Sequence, residues 1–172
     1  AVQDIVKFCA KHNIVLMSDE VYQENVYEDK PFYSAKRAAH DCGCLGEDGV
    51  QLVSFHSISK GVFGECGRRG GYMELQGFDD DVKGLLYKLA SSSLCSSIPG
   101  QIMVSLMAKG PSPGDESFES HEAEKSAIFE SLKRRAKFVQ TGLDAIEGMS
   151  CQPAQGAMYC FPSIELPLGA TQ

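Results

Sequence analysis

Lys60 stands between a hydroxyl pair, Ser57 and Ser59, and a glycine-rich turn that closes on two arginines, Arg68 and Arg69. Backbone amides approach closely where glycine replaces a side chain, and a guanidinium forks onto two oxygens, so residues 57–72 suit a phosphate. A lysine beside a bound phosphate is the arrangement a Schiff-base cofactor needs. Spacing excludes a nucleotide-binding P-loop, in which glycines precede a Gly-Lys-Ser/Thr triplet; here the glycines follow the lysine and serine precedes it. Taken alone, the cluster reads rather as a tight interstrand turn with a surface lysine and solvated arginines.

A second group of residues tips that balance. Ile14-Val15-Leu16-Met17 is a continuous apolar run of the kind that forms a buried parallel strand, and it runs into Ser18-Asp19-Glu20-Val21-Tyr22. A carboxylate and a phenol therefore emerge at the carboxyl end of a strand, where open α/β sheets bind ligands. Gln51-Leu52-Val53-Ser54-Phe55-His56 and Gly71-Tyr72-Met73-Glu74-Leu75 read as strands on either side of the lysine loop. Separately, Asp19 could cap a turn and Tyr22 could be a half-buried aromatic; with Lys60 they form a candidate site.

Asp19-x-x-Tyr22, Ser57-x-Ser59-Lys60 and Arg69-x-Gly71-Tyr72 together resemble the fold-type I pyridoxal-phosphate enzymes, the aminotransferases in particular. The longer runs from Ser18 to Tyr27 and from Gly64 to Tyr72, with Leu94-Cys95 and Gly100-Gln101, are similar to the alanine aminotransferase branch. The likeness extends from about residue 14 to residue 161.

The resemblance implies pyridoxal 5'-phosphate as cofactor and a role for each residue. Lys60 is the catalytic Schiff-base lysine, Asp19 pairs with the ring nitrogen, Tyr22 bonds the ring's phenolic oxygen, and Ser57 and Arg69 hold the phosphate. Arg68 competes with Arg69. Related enzymes commonly place the arginine eight residues after the lysine, which selects Arg68, whereas the Arg-x-Gly-Tyr ending selects Arg69. Strand register is harder to shift than loop length, so Arg69 is preferred. The implied reaction is L-alanine plus 2-oxoglutarate to pyruvate plus L-glutamate, with amino-acid and 2-oxo-acid substrates and a homodimer whose contact includes residues 91–97. A lyase or synthase on the same fold, and a non-catalytic aminotransferase-like domain, are the alternatives.

The elements that must position these residues read as α/β. The implied fold is the C-terminal half of the large fold-type I domain with a mostly parallel sheet, followed by the start of a small α+β domain. Val2, Ile5, Val6, Phe8 and Cys9 give a helical stripe ending near His12 and Asn13. Residues 28–49 read as a loop or short helix. Val82, Leu85, Leu86 and Leu89 mark one helix, and residues 99–107 another with Ile102, Val104, Leu106 and Met107 inward. Two prolines and two glycines in residues 108–115 mark a break. Residues 1–114 are accordingly assigned to the cofactor-binding domain, and 115–172 to an interdomain helix and the start of the small domain. In the latter, residues 118–146 form a long helix and 156–162 a strand.

Composition narrows the partners. A net charge of −7 disfavours nucleic acid, and no apolar run approaches the ~20 residues that span a bilayer. Seven cysteines, an odd number spread along the chain, favour a reducing compartment, cytoplasmic or mitochondrial, over a disulfide framework. Cys42-Gly43-Cys44 has no matching downstream pair, so no metal is assigned. The chain is expected to be internal to a longer protein. By the resemblance, the ring-stacking aromatic and first phosphate loop would precede Ala1 and the substrate-gripping arginine would follow Gln172. These 172 residues alone are then expected to bind cofactor weakly and to transaminate nothing.

Overall fold

Val6 and Cys9, nearly one helical turn apart, form the buried stripe of α1 (Val2–Lys11), and Asn13 at φ 52° turns the chain out of it, a conformation asparagine tolerates. The computed structural model describes residues 1–46, 48–167, 169 and 170. Their contacts divide the chain into two units, one of residues 1–23 and 32–110 and the other of residues 24–31 and 111–172.

In the first unit, β1 (Leu16–Asp19) pairs in parallel with β2 (Leu52–Ser57), and β2 pairs antiparallel with β3 (Gly71–Gln76). The connection from β1 to β2 carries α2 (Ala35–Asp41), a crossover of the length a parallel pair requires. The connection from β2 to β3 holds only the lysine loop and a single 3-10 turn, Cys66–Arg68, so the chain returns beside itself and the pair is antiparallel. The expected mostly parallel sheet is thus mixed among the described residues. Val6, Cys9, Ala35, Ala38, Ala39, Val50 and Leu52 make one core cluster that joins α1 and α2 to β2. Three alanines on α2 keep that helix close to its neighbours.

Two expectations of burial are corrected. The apolar run before Asp19 is not buried: Ile14, Val15 and Met17 are exposed, because β1 is an edge strand with one neighbour. The helices α3 (Asp80–Ser91) and α4 (Ile98–Ala108) form where the periodicity places them, yet α3 buries no residue. In α4, Ile102 and Leu106 are exposed, and the half-buried side is Met103, Val104 and Met107.

The second unit is built on α5 (Phe118–Asp144), whose Phe129, Leu132 and Ala136 are half-buried while Lys133, Arg134 and Arg135 face solvent. Tyr27 packs its ring 5.8 Å from that of Phe129 and donates its hydroxyl to the Ala157 carbonyl at 2.7 Å. Burial raises the phenol's pKa above the ordinary value. A short antiparallel pair, β4 (Met149–Cys151) with β5 (Pro162–Ile164), completes the unit. The strand expected over residues 156–162 is therefore not present as such. Gly156 makes an isolated bridge to Val26, Ala157 takes φ 58°, which breaks an extended run, and the strand starts only at Pro162.

The fully buried Leu52 connects the sheet to both helices of the core cluster. Leu52→Ala is expected to lower unfolding free energy by about 2–5 kcal/mol, read from denaturant titration at unchanged slope.

Candidate active site

Parallel pairing sets the geometry at the carboxyl ends of β1 and β2. Asp19 lies opposite Phe55, and Ser57 follows two residues later on β2. Side chains alternate along a strand, so Asp19, Phe55 and Ser57 share one face, and strand spacing puts the Cα atoms of Asp19 and Ser57 roughly 8 Å apart. On the other side of Ser57, its register partner on β3 is Gly71. A Cβ there would stand 2.9 Å from the His56 carbonyl oxygen and 3.1 Å from the Ser57 Cβ, so glycine keeps the face beside Ser57 clear.

The loop from β2 to β3 is anchored through Ile58, which is fully buried. Its N–H donates to the Gly70 carbonyl at 3.2 Å, and its carbonyl accepts from Glu65 N–H at 2.8 Å. Gly61 and Gly64 take φ of 73° and 61°, turns that favour glycine, and between these constraints Lys60 is exposed. Its Nζ makes no hydrogen bond or ion pair among the described residues. The Ser57 hydroxyl oxygen accepts from Ser59 N–H at 3.3 Å, which leaves its proton available to donate. Ser57 N–H donates to Nδ1 of His56 at 2.8 Å, so that ring nitrogen carries no proton. The imidazole lies against Tyr72 with centroids 5.7 Å apart.

The two arginines differ in their partners. Arg68 faces Glu65, with Nε 3.8 Å from its carboxylate, whereas Arg69 donates from Nη1 to the Cys66 carbonyl at 3.2 Å and makes no ion pair among the described residues. Arg69 also occupies the left-handed region, at φ 57° and ψ 54°. That is unusual for a residue with a Cβ; here the Arg69 N–H donates to the Cys66 carbonyl at 3.4 Å, closing the 3-10 turn. Gly70 and Gly100 bring the loop and the first turn of α4 into backbone contact: a Cβ on Gly70 would stand 2.5 Å from the Gly100 oxygen, and one on Gly100 would stand 2.5 Å from the Arg69 oxygen. Ser97, the cap of α4, donates its hydroxyl to the Arg68 carbonyl at 3.3 Å.

Tyr22 sits half-buried in the turn after β1, three residues beyond Asp19, and the Asp19 carboxylate accepts from Val21 N–H at 3.2 Å. The residues expected to act together thus fall on adjoining segments of one unit: Asp19 and Ser57 on one sheet face, Lys60 and Arg69 on the loop that closes it, and Tyr22 after the strand. One neighbour that motif reasoning passed over is Glu20, which is 8% exposed and whose Oε1 accepts from Ala35 N–H at 2.8 Å. An acid between Asp19 and Val21 at a strand end was its sequence signal.

The profile of aminotransferase class I and II matches residues 1–167. The chain belongs to that family. Alanine aminotransferase 1, mitochondrial, of Arabidopsis thaliana is 54% identical over 166 residues, 96% of this chain and 30% of the relative. A protein of Saccharomyces cerevisiae named inactive alanine aminotransferase is 46% identical over 96% of this chain and 34% of its own length. The solved alanine aminotransferase of Pyrococcus furiosus superposes with a TM-score of 0.78 at 24% identity, over 98% of this chain and 39% of that one, and so shows the fold. The chain spans about a third of the length of the curated relatives it matches.

The α/β chain therefore aligns with part of the fold-type I aminotransferase structures, and the family works with pyridoxal phosphate. The donor set fits that group: a carboxylate for a pyridinium nitrogen, an unpaired amine for an aldehyde, and a free hydroxyl proton with a guanidinium not paired to acid for a phosphate. Among the described residues, no helix is long and apolar enough to cross a membrane.

The backbone contact between Gly70 and Gly100 holds the arginine loop against α4. Gly100→Ala is expected to cost about 1–3 kcal/mol of stability, since backbone rather than a side chain must yield; thermal unfolding followed by calorimetry reads the loss.

Proposed function

We propose that the full-length protein carrying this chain is a pyridoxal-phosphate aminotransferase that converts L-alanine and 2-oxoglutarate to pyruvate and L-glutamate. The observation that carries the reading is the unpaired Lys60 on a loop anchored by Ile58, beside a sheet face bearing Asp19 and Ser57. The substrate pair rests on the alanine aminotransferases that the chain matches at 54% and 52% identity.

When bound, the cofactor supplies an electron sink for the pair left at the substrate Cα when its proton departs. Lys60 would hold the cofactor through Nζ at rest and, once freed by the substrate amine, carry the Cα proton. The Asp19 carboxylate would keep the ring nitrogen protonated, since a close anion favours the charged form. Tyr22 would donate to the ring oxygen. Ser57 and Arg69 would hold the phosphate, and the pairing of Arg68 with Glu65 supports Arg69 over its neighbour.

On this reading the first unit is part of the large cofactor domain, and residues 111–172 of the second hold the interdomain helix and the beginning of the small domain, near the 114/115 boundary assigned from sequence, whereas residues 24–31, assigned there to the large domain, cluster with the second unit. Residues 91–97, with Leu94 exposed at φ 58°, would lie at a homodimer contact. The reducing compartment expected from the cysteines is compatible with relatives named mitochondrial. A non-catalytic reading has one observation in its favour, the relative named inactive.

In the full-length protein, Lys60→Ala is expected to abolish the visible absorbance of bound cofactor at Lys60 and to lower alanine–2-oxoglutarate turnover at least 100-fold. Wild-type protein that binds cofactor yet makes no pyruvate would establish the non-catalytic reading, and elimination products in place of glutamate would indicate a lyase. Arg69→Gly relieves the left-handed backbone while removing the guanidinium, so cofactor affinity should fall about 10- to 100-fold without loss of stability. Arg68→Ala should change that affinity by about 2-fold or less, and equilibrium titration with pyridoxal phosphate separates the two.

A further inference from the structure

Glu20 is a buried carboxylate that the proposed chemistry does not use. Glutamate is seldom buried unless paired, yet no cation meets this one among the described residues. Its partners are the Ala35 N–H at 2.8 Å and the Ser18 hydroxyl at 3.1 Å, and both donate to the same atom, Oε1. Ala35 opens α2, and the cap residue Ser34 accepts from Arg37 N–H instead, so Glu20 satisfies a first-turn amide that the helix's own cap leaves open. The main-chain N–H of Glu20 donates to the Phe55 carbonyl at 2.9 Å and carries the β1–β2 ladder one residue beyond Asp19.

Asp19 is thereby bracketed. Ser18 and Glu20 precede and follow it, and by strand alternation their side chains lie on the opposite face. Joined to each other and to α2, they fix that face while the Asp19 carboxylate is left to the face it shares with Ser57. Without this tie, the end of β1 would lose its side-chain link to α2 and keep the Glu20 N–H bond to β2.

We propose that Glu20 is a positioning residue that holds the Asp19 carboxylate at the cofactor ring by tying the end of β1 to the first turn of α2 through Oε1. This rests on the reading of Asp19 as the ring-nitrogen partner. Because one oxygen receives both bonds, glutamine in place of glutamate keeps the tie and alanine loses it. Ala35→Pro removes the donor instead of the acceptor. Proline is tolerated at the first helical position, and Ser34 before it is already extended at φ −67° and ψ 155°.

The test uses full-length holoenzyme, with pyridoxal phosphate affinity and the pH dependence of its visible absorbance as readouts. Glu20→Ala and Ala35→Pro are expected to weaken cofactor binding about 10-fold or more. They should also move the spectral pH midpoint by about one unit, in the direction in which Asp19→Asn moves it. Glu20→Gln should stay within about 2-fold of wild type in affinity. A role in helix capping alone would lower the melting temperature and leave midpoint and affinity untouched; that result overturns the proposal, as does a Glu20→Gln variant as impaired as Glu20→Ala. Should Glu20→Ala not fold, Ala35→Pro decides by the same two readouts. An Asp19→Asn holoenzyme with an unaltered spectrum would refute the ring-nitrogen reading itself and the tie with it, whereas an altered Asp19→Asn beside a normal Glu20→Ala refutes only the tie.

Discussion

The parallel register of β1 against β2 is the constraint on which the rest of the site depends. With Leu16 opposite Leu52 and Asp19 opposite Phe55, the carboxyl ends of both strands point the same way, and the acid and the hydroxyl share a face. A slip of one residue would turn Asp19 to the face now held by Ser18 and Glu20. The register is held from within by Leu52, sealed among Val6, Cys9 and the alanines of α2, and at its end by the Glu20 N–H bond to Phe55. Core packing and site geometry are thus one problem here: the residue that seals the core starts the strand whose far end presents Ser57.

The lysine loop depends on that strand in turn. Since β3 returns antiparallel, the pair Ser57 and Gly71 closes the ladder, and the Ile58 to Gly70 bond extends it into the loop. Loop conformation at Lys60 is then set by a buried isoleucine two residues away and by glycines at positive φ on either side of Val62 and Phe63. The arginine end is set differently, by contact between the backbones of Gly70 and Gly100 that no side chain could replace. Tying the loop at both ends leaves its cationic groups exposed yet confined, which lowers the entropy lost when an anion is bound.

Much of this was legible in the sequence because it rests on local pattern. The helical stripe of α1, the two strands flanking Lys60 and the long helix α5 follow from periodicity and stand close to their expected bounds. What was not legible is what depends on neighbours. The run from Ile14 to Met17 is as apolar as a central strand but is an edge here, and Ile102 and Leu106 are apolar yet exposed. Hydrophobicity states that a residue favours burial, not which element buries it. The missed strand boundary at Pro162 has a local cause, the left-handed Ala157, which propensity gives no reason to expect. At the site, motif spacing picks out Lys60, Asp19, Tyr22 and Ser57 as candidates and strand register prefers Arg69 to Arg68, a preference the side-chain partners support, whereas Glu20 emerges only from its hydrogen bonds.

Identity at the level of one half bears on scaffold more than on chemistry. A relative named inactive is 46% identical to this chain, against 54% for one named as an alanine aminotransferase, a difference small beside the number of residues that build helices and strands. On the reading proposed above, chemistry would rest on the few groups whose removal leaves the scaffold standing: one amine, one carboxylate, one phenol, one hydroxyl and one guanidinium. Their surroundings are the more discriminating evidence. A surface lysine with no catalytic duty has no need of a fully buried anchor two residues before it, and an arginine without an anionic partner has no need of a left-handed backbone pinned by a glycine contact. Both features restrict the loop more than a bare interstrand turn needs, which supports the proposed reading of the loop as an anion site on grounds other than likeness to known proteins.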